Sequence, residues 1–308
     1  MPFAVRSRFD WRLRTRTLAL GPRTLIMGIL NATPDSFSDG GLYLDPNAAL
    51  AHALQMLDEG ADILDLGGES TRPNATPITS AEEQTRVLPI LRAILAAQPD
   101  AILSIDTYHA ETARNAIDCG AEIVNDVSGF LWDDAMAANC ASLNCGVVLM
   151  HTRGRPQQWR SLPALAPTEV VPLVLREVEA RAQAALSAGI ARDAIVLDPG
   201  FGFGKILDEN FPLLAQFDQL HALGFPLLAG LSRKSFLRRT FVEKAPTEPA
   251  NKLGAPHLAS EMWVSSTSAA NTAAILAGAH ILRVHDVRPA REAADLADRI
   301  LASASIST

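Results

Sequence analysis

Arg283 and His285 stand at alternate positions at the end of an apolar run, Ile281-Leu-Arg-Val-His285. In an extended chain residues i and i+2 point the same way, so the two side chains form a compact cationic pair. Such a pair suits a phosphate or pyrophosphate, which an arginine can grip with two parallel N–H donors. Lys234 follows a second apolar run, and polar groups follow the others: Asn31, Asp65, Asp106, Asn125 with Asp126, His151 and Asp198. Taken singly, Asp106 or Asn125 could cap a helix, and Arg283 and His285 could lie on the surface. Recurrence after so many apolar runs points instead to polar groups gathered from distant parts of the chain.

Two loops carry a composition of their own. Asp198-Pro-Gly-Phe-Gly-Phe-Gly-Lys205 is glycine-rich, but Ile206 follows its Gly-Lys where a P-loop needs Ser or Thr. Its glycines alternate late in the chain, which also excludes the dinucleotide fingerprint. Asn31-Ala-Thr-Pro-Asp-Ser-Phe-Ser-Asp-Gly-Gly41 is small and polar, a composition that suits a lid better than packing. A simple long turn would read the same way.

The elements that must position these groups are legible from periodicity. Continuous short apolar runs at 25–30, 63–66, 102–105, 123–124, 147–150, 195–197, 227–229 and 281–284 predict eight strands covered on both faces. Amphipathic helices lie between them. Leu50, Ala53, Leu54 and Leu57 share one helical face behind Asp45-Pro46, and Ser80-Ala-Glu-Glu83 reads as a capping box before Val87 and Leu91. Gly60-Ala-Asp-Ile63, Gly120-Ala-Glu-Ile123 and Gly278-Ala-His-Ile281 each put a glycine where a helix stops and a strand begins. Repeated β-then-α units predict a single (β/α)8 TIM barrel, with a doubly wound sheet as the competitor. Eight strands, with polar residues after most of them, favour the barrel, whose reactive groups sit past the C-terminal strand ends. Trp11-Arg-Leu-Arg-Thr-Arg-Thr-Leu18 alternates with period two and predicts an N-terminal β-hairpin that caps the barrel bottom. The expected organisation is one domain over 1–308, with an extension at 1–20 and the barrel at 21–303. The Pro-containing stretches 153–167 and 238–256 read as long βα-loops.

The chain has 308 residues, 48% of them hydrophobic, and a net charge of −7. With a pI near 5.5 it is not expected to bind nucleic acid in general. An acidic protein that takes an anionic substrate needs a local cluster of Arg, Lys and His. Cys119, Cys140 and Cys145 match neither a zinc site nor a redox pair, so free thiols are expected. The first twenty residues hold arginines and no apolar core of a secretory signal, and no apolar stretch is long enough to span a membrane. A cytoplasmic protein without a membrane partner is expected.

In order along the chain, seven segments resemble those of dihydropteroate synthases. They are Met27-Gly-Ile-Leu-Asn-Ala-Thr-Pro-Asp-Ser-Phe-Ser-Asp-Gly-Gly41, Gly60-Ala-Asp-Ile-Leu-Asp-Leu-Gly-Gly-Glu-Ser-Thr-Arg-Pro73, Ser104-Ile-Asp-Thr107, Asn125-Asp-Val-Ser-Gly129, Leu197-Asp-Pro-Gly-Phe-Gly-Phe-Gly-Lys205, Gly230-Leu-Ser-Arg-Lys-Ser235 and Arg283-Val-His-Asp286. The stretch Met150-His-Thr-Arg-Gly-Arg-Pro156 departs from the family's usual Met-His-Met, and 261–269 lacks the usual start of the seventh helix.

The resemblance implies a pterin-binding enzyme that condenses a pterin pyrophosphate with p-aminobenzoate. It implies that Asp106, Asn125 and Asp198 hold the pterin edge, that Lys234 donates to its acceptors, and that Met150 lines the same site. Asn31, Arg283 and His285 would hold the pyrophosphate, with Mg2+ at Asn31. p-Aminobenzoate would lie beside Pro73, Phe203 and Lys234, its carboxylate near Ser235. Two loops would close over both substrates, bringing Phe37 and Asp39 from one and Thr71, Arg72 and Pro73 from the other. Catalytic roles fall by the same resemblance to Phe37, Asp39, Arg72 and Lys234. A homodimer and sulfonamide inhibition are further implications. The alternatives are a pterin-dependent methyltransferase domain, which would not need Ser70-Thr-Arg-Pro73, Ser232-Arg-Lys-Ser235 or Arg283-Val-His285, and a pterin-binding paralogue without turnover.

Overall fold

A computed structural model describes residues 6–33, 46–71, 75–242 and 256–304. Strand β1 (Phe9–Arg12) and strand β2 (Thr17–Leu20) form an antiparallel hairpin. Then come β3 (Leu25–Asn31), α1 (Pro46–Asp58), β4 (Ile63–Gly67), α2 (Ser80–Ala97), β5 (Leu103–Asp106), α3 (Ala110–Asp118), β6 (Ile123–Asp126), α4 (Met136–Leu143) and β7 (Gly146–Met150). The chain continues through α5 (Pro167–Ser187), β8 (Ile195–Asp198), α6 (Asn210–Ala215), β9 (Leu228–Ala229), α7 (Ser235–Val242), α8 (Pro256–Leu276), β10 (Ile281–Val284) and α9 (Val287–Ala304).

Strands β3 to β10 make one parallel sheet in the order β8-β7-β6-β5-β4-β3-β10-β9. A parallel bridge between Leu197 and Leu227 joins the two ends, so the sheet curls into a nearly closed barrel. The eight expected strands all form, within a residue or two of their expected limits. The open-sheet competitor fails because the first strand of the sheet in chain order, β3, pairs with the last, β10, and the Leu197–Leu227 bridge joins the two remaining edges.

Strands, helices and hairpin bury two apolar layers. The larger lies between the strands and the surrounding helices. The smaller fills the lower barrel interior, where Met27, Ile63, Ile123, Val148, Val196 and Ile281 meet Trp11, Leu13 and Leu20 of the hairpin region. The hairpin thus closes the bottom, as its alternation predicts. Trp11 is fully buried and its indole N–H donates to the Ala194 carbonyl at 2.9 Å. Trp11→Ala is expected to cost about 3–5 kcal/mol of stability, because the cavity cannot collapse inside a barrel. Denaturant unfolding checks this; a loss below about 1 kcal/mol would mean that the hairpin is not part of the cooperative unit.

Helix ends repeat one device. Gly60, Gly120 and Gly278 have φ of +100°, +111° and +100°, in the left-handed region. In each, the glycine N–H and the next N–H close back onto the last helical turn, as in Gly60 to Leu57 and Ala61 to Met56. Gly189 after α5 does the same (φ +97°), a fourth instance without the Gly-Ala spelling.

One local expectation is overturned. The cap of α2 is Thr79, whose hydroxyl accepts from the Glu82 N–H, while Ser80 is already helical. Glu83 leaves the capping box because its buried carboxylate accepts from the Thr107 hydroxyl at 2.7 Å. Burial pushes that carboxyl up to about 7.

Candidate active site

The barrel interior changes character two residues further along each strand. Ile63, Ile123, Val148, Val196 and Ile281 belong to the apolar floor. With a period of two, Asp65, Asn125, Met150, Asp198 and Arg283 project into the same interior one layer higher. Asp106 joins this layer from the end of β5. A cavity of about 490 Å3, its open mouth included, lies at the C-terminal ends of the strands.

Asp106, Asn125, Met150, Asp198, Phe203, Lys234, Arg283, His285 and Thr71 all line this cavity. They come from β4 through β10 or the loops that follow, so the fold gathers groups far apart in sequence. Ser235 follows directly as the first residue of α7. A helix N-terminus is a setting that favours an anion. Asn31 ends β3 in register with Gly67 of β4. Phe37, Asp39, Arg72 and Pro73 lie outside the described residues, as does Asp45 before α1.

Charges are ordered by a fork. Arg283 donates from Nε to Asp65 Oδ2 at 2.6 Å and from a terminal nitrogen to Asp106 Oδ2 at 2.5 Å. Asn125 Nδ2 donates to the same Asp65 oxygen at 2.9 Å. Asp198 Oδ1 accepts from the Gly200 N–H at 2.7 Å. That bond is possible because Gly200 has a φ of +66° and a Cβ there would sit 1.9 Å from the His151 carbonyl oxygen. Lys234 Nζ lies 4.2 Å from the centre of the Phe203 ring, which Trp159 meets edge-on. His285 Nδ1 lies 3.0 Å from the Ser232 hydroxyl.

Burial dominates the titration of these groups. It pushes the Asp106 carboxyl up to about 7, although Arg283 opposes the shift. Burial also raises Asp198 against the pull of the Gly200 N–H. It lowers the Lys234 ammonium to about 8, opposed chiefly by Asp198. For Arg283 burial acts to lower the value, but the two carboxylates outweigh it and hold the guanidinium charged.

A sign follows for any ligand that gives N–H donors to Asp106. Above about pH 7 the carboxylate is ionised and accepts; below it the proton must be displaced. Affinity is expected to fall by up to about tenfold for each pH unit below 7. Titration calorimetry across that range checks this, and a flat profile with a ligand bound at the cavity floor would remove Asp106 from the contact.

Four strand-end groups are not among those that line the cavity: Asn31, Asp65, Asp126 and His151. His151 is fully buried and turns toward Lys205 Nζ, 2.8 Å from its Nδ1, and toward Glu177, 3.1 Å from its Nε2. It follows Met150 on β7, so the strand alternation aims it away from the interior. Asp126 likewise turns away and organises its own loop, accepting from Ser128 and Phe130 N–H groups. Asp65 was legible as a strand-end acid, but its role as the shared partner of Arg283 and Asn125 was not. An Asp inside an otherwise apolar strand is the signal that could have raised it. Cys119, Cys140 and Cys145 are free, as expected.

The arrangement has two halves. Its floor offers carboxylate and amide groups to a flat ring with N–H donors on one edge. Its cationic side offers Arg283, His285 and Lys234 to an anion, with Phe203 as an aromatic face.

Comparison with known proteins gives one picture. The family described as pterin binding enzyme matches residues 27–285. A dihydropteroate synthase of Synechocystis sp. is 39% identical over 292 residues, covering 95% of this chain and 92% of that protein. Among solved structures, Xanthomonas albilineans dihydropteroate synthase with 4-aminobenzoic acid is 39% identical, with a TM-score of 0.81 and coverage of 95% and 99% of the two chains. Yersinia pestis dihydropteroate synthase in a sulfonamide drug complex is 35% identical, with a TM-score of 0.83 and coverage of 96% and 100%.

Proposed function

The chain belongs to the pterin-binding enzymes and, within them, to the dihydropteroate synthases, and from that premise we propose how its own residues carry the reaction. The reaction condenses 6-hydroxymethyl-7,8-dihydropterin pyrophosphate with p-aminobenzoate, giving 7,8-dihydropteroate and pyrophosphate. One observation supports the assignment of residues above all: Asp106, Asn125, Asp198, Lys234 and Arg283 converge on a single cavity from five different strands or the loops that follow them.

The pterin lies flat on the cavity floor. Asp198, Asp106 and Asn125 meet its amino-pyrimidine edge, and Lys234 donates to its ring acceptors. Met150 packs against the ring. Arg283 and His285 hold the pyrophosphate. Asn31 ends β3 beside Gly67 of β4, and its amide oxygen is the kind of hard donor that would hold Mg2+. Held there, the ion would help neutralise the charge that develops on the departing pyrophosphate.

The bond from the pterin methylene carbon to the pyrophosphate oxygen breaks, and its electron pair leaves with pyrophosphate. The cation left behind spreads into the pterin ring. The amine of p-aminobenzoate attacks the methylene carbon and then loses a proton. The protein must stabilise the departing anion and keep water from the cation. Phe37, Asp39, Thr71, Arg72 and Pro73 serve this closure. p-Aminobenzoate rests against Pro73, Phe203 and Lys234, with its carboxylate toward Ser235 at the start of α7.

The organisation proposed is one domain over 1–308, acting as a homodimer in the cytoplasm. No helix among the described residues is long and apolar enough to cross a membrane. Sedimentation tests the dimer.

Turnover with the pterin pyrophosphate and p-aminobenzoate tests the assignment and separates it from a silent pterin-binding paralogue or a methyltransferase domain. A sulfonamide carries the same aniline ring, so it is expected to compete with p-aminobenzoate and to bind after the pterin pyrophosphate. Non-competitive inhibition toward p-aminobenzoate, or tight sulfonamide binding without pyrophosphate, would contradict the site as drawn.

A further inference from the structure

Asp65 is fully buried in the middle of β4, and none of the roles above uses it. One of its oxygens, Oδ2, accepts from two groups that serve different halves of the cavity: Arg283 Nε at 2.6 Å and Asn125 Nδ2 at 2.9 Å. Each bond removes a freedom that would otherwise cost binding. An arginine head tethered at Nε keeps its guanidinium plane in one orientation, so its terminal nitrogens are aimed rather than searching. An asparagine amide turned so that Nδ2 meets Asp65 must present Oδ1 on its other side, where it can only accept. Asp106 holds the arginine at a second point, 2.5 Å from a terminal nitrogen. Asp106 also faces the cavity, whereas Asp65 is not among the lining residues. Asp65 is therefore the support that stays in place whatever occupies the site.

Resting on the anion and ring roles assigned above, we propose that Asp65 is a positioning residue for the reaction. It aims Arg283 at the pyrophosphate and fixes the amide of Asn125 as an acceptor for the ring. The anchoring oxygen is the working part; the negative charge alone would act in the opposite direction, since a carboxylate near the anion site repels pyrophosphate.

That opposition makes the test decisive. Inorganic pyrophosphate binding is measured by calorimetry on the full chain, with thermal unfolding recorded for every variant. Asp65→Ala removes the oxygen and is expected to weaken pyrophosphate by about tenfold or more. Asp65→Asn can keep an acceptor oxygen at the Oδ2 position and is expected to recover to within about threefold of the parent. In an Arg283→Ala background, Asp65→Ala is expected to add less than about twofold, because the group being aimed is gone. Arg283→Lys keeps the charge but cannot span two carboxylates, and is expected to lose about tenfold, so the proposal stays open to refutation if Asp65→Ala does not fold. Tighter pyrophosphate binding in both Asp65 variants would show that only charge matters and overturn the proposal. An equal loss with and without Arg283 would show general loosening and overturn it too, as would parental affinity in Arg283→Lys. Loss in Arg283→Ala with none in Asp65→Ala overturns this inference alone. Unchanged binding in Arg283→Ala overturns the anion-site assignment and this inference with it.

Discussion

Asp198→Asn is expected to weaken a phosphate-free pterin by roughly a hundredfold, a cost of about 3 kcal/mol, while the protein stays folded. The reason lies in how the carboxylate is already used. Oδ1 accepts the Gly200 N–H at 2.7 Å, which leaves Oδ2 for a ligand's N–H donors. An asparagine has one acceptor and one donor in these places. Turned one way, its NH2 faces the Gly200 N–H; turned the other, it faces the N–H edge of the ring. Either orientation sets donor against donor in a buried site, where an unmade hydrogen bond is expensive. Calorimetry with a phosphate-free pterin reads the affinity, and thermal unfolding confirms that the variant is folded. Parental affinity in a folded Asp198→Asn protein would remove Asp198 from the ring contact.

Arg283→Ala is expected to weaken pyrophosphate by about a hundredfold and to slow turnover with it. By strand spacing alone the arginine would serve only the anion and leave ring binding nearly untouched. The fork to Asp65 and Asp106 adds a second effect. Arg283 is the strongest influence holding the Asp106 carboxyl down against burial, which already pushes it up to about 7. Without the guanidinium, Asp106 moves further up and is protonated at neutral pH. A phosphate-free pterin is therefore expected to bind Arg283→Ala less well at about pH 7, and to recover as the pH is raised. Pyrophosphate affinity is not expected to recover, because the donor itself is lost. If both ligands weaken equally at every pH, the separation into an anion half and a ring half is wrong.

The contrast between Arg283 and His151 shows what one strand can and cannot reveal. Arg283 and His285 both line the cavity, and their common direction is legible because period-two alternation is a local property of an extended chain. The same rule, applied to Met150 and His151 together, gives Met150 the cavity and sends His151 to Lys205 and Glu177 on the outside of the barrel wall. The capping box expected at Ser80 fails for a related reason. Glu83 has the right spacing, but a buried partner on another element, Thr107, takes its carboxylate, and the cap moves to Thr79. The first-loop positions Phe37 and Asp39, and Arg72 and Pro73 of the second, rest on family resemblance and lie outside the described residues.

Local composition dictates the strands, because a strand buried on both faces must be continuously apolar, and the helix ends at Gly60, Gly120 and Gly278, because glycine enters the left-handed turn without strain. The sequence also determined the polar residue types that follow each strand, and their order along the chain carried the family. Tertiary structure alone decided which of those groups share charge. Asp65, Asp106 and Arg283 lie on three strands, and nothing in their spacing records that one guanidinium bridges two carboxylates. Barrel closure sets that distance by bringing β10 beside β3. Burial then fixes the chemistry, because a carboxyl such as that of Asp106 titrates near 7 only where the surrounding wall has taken its water away.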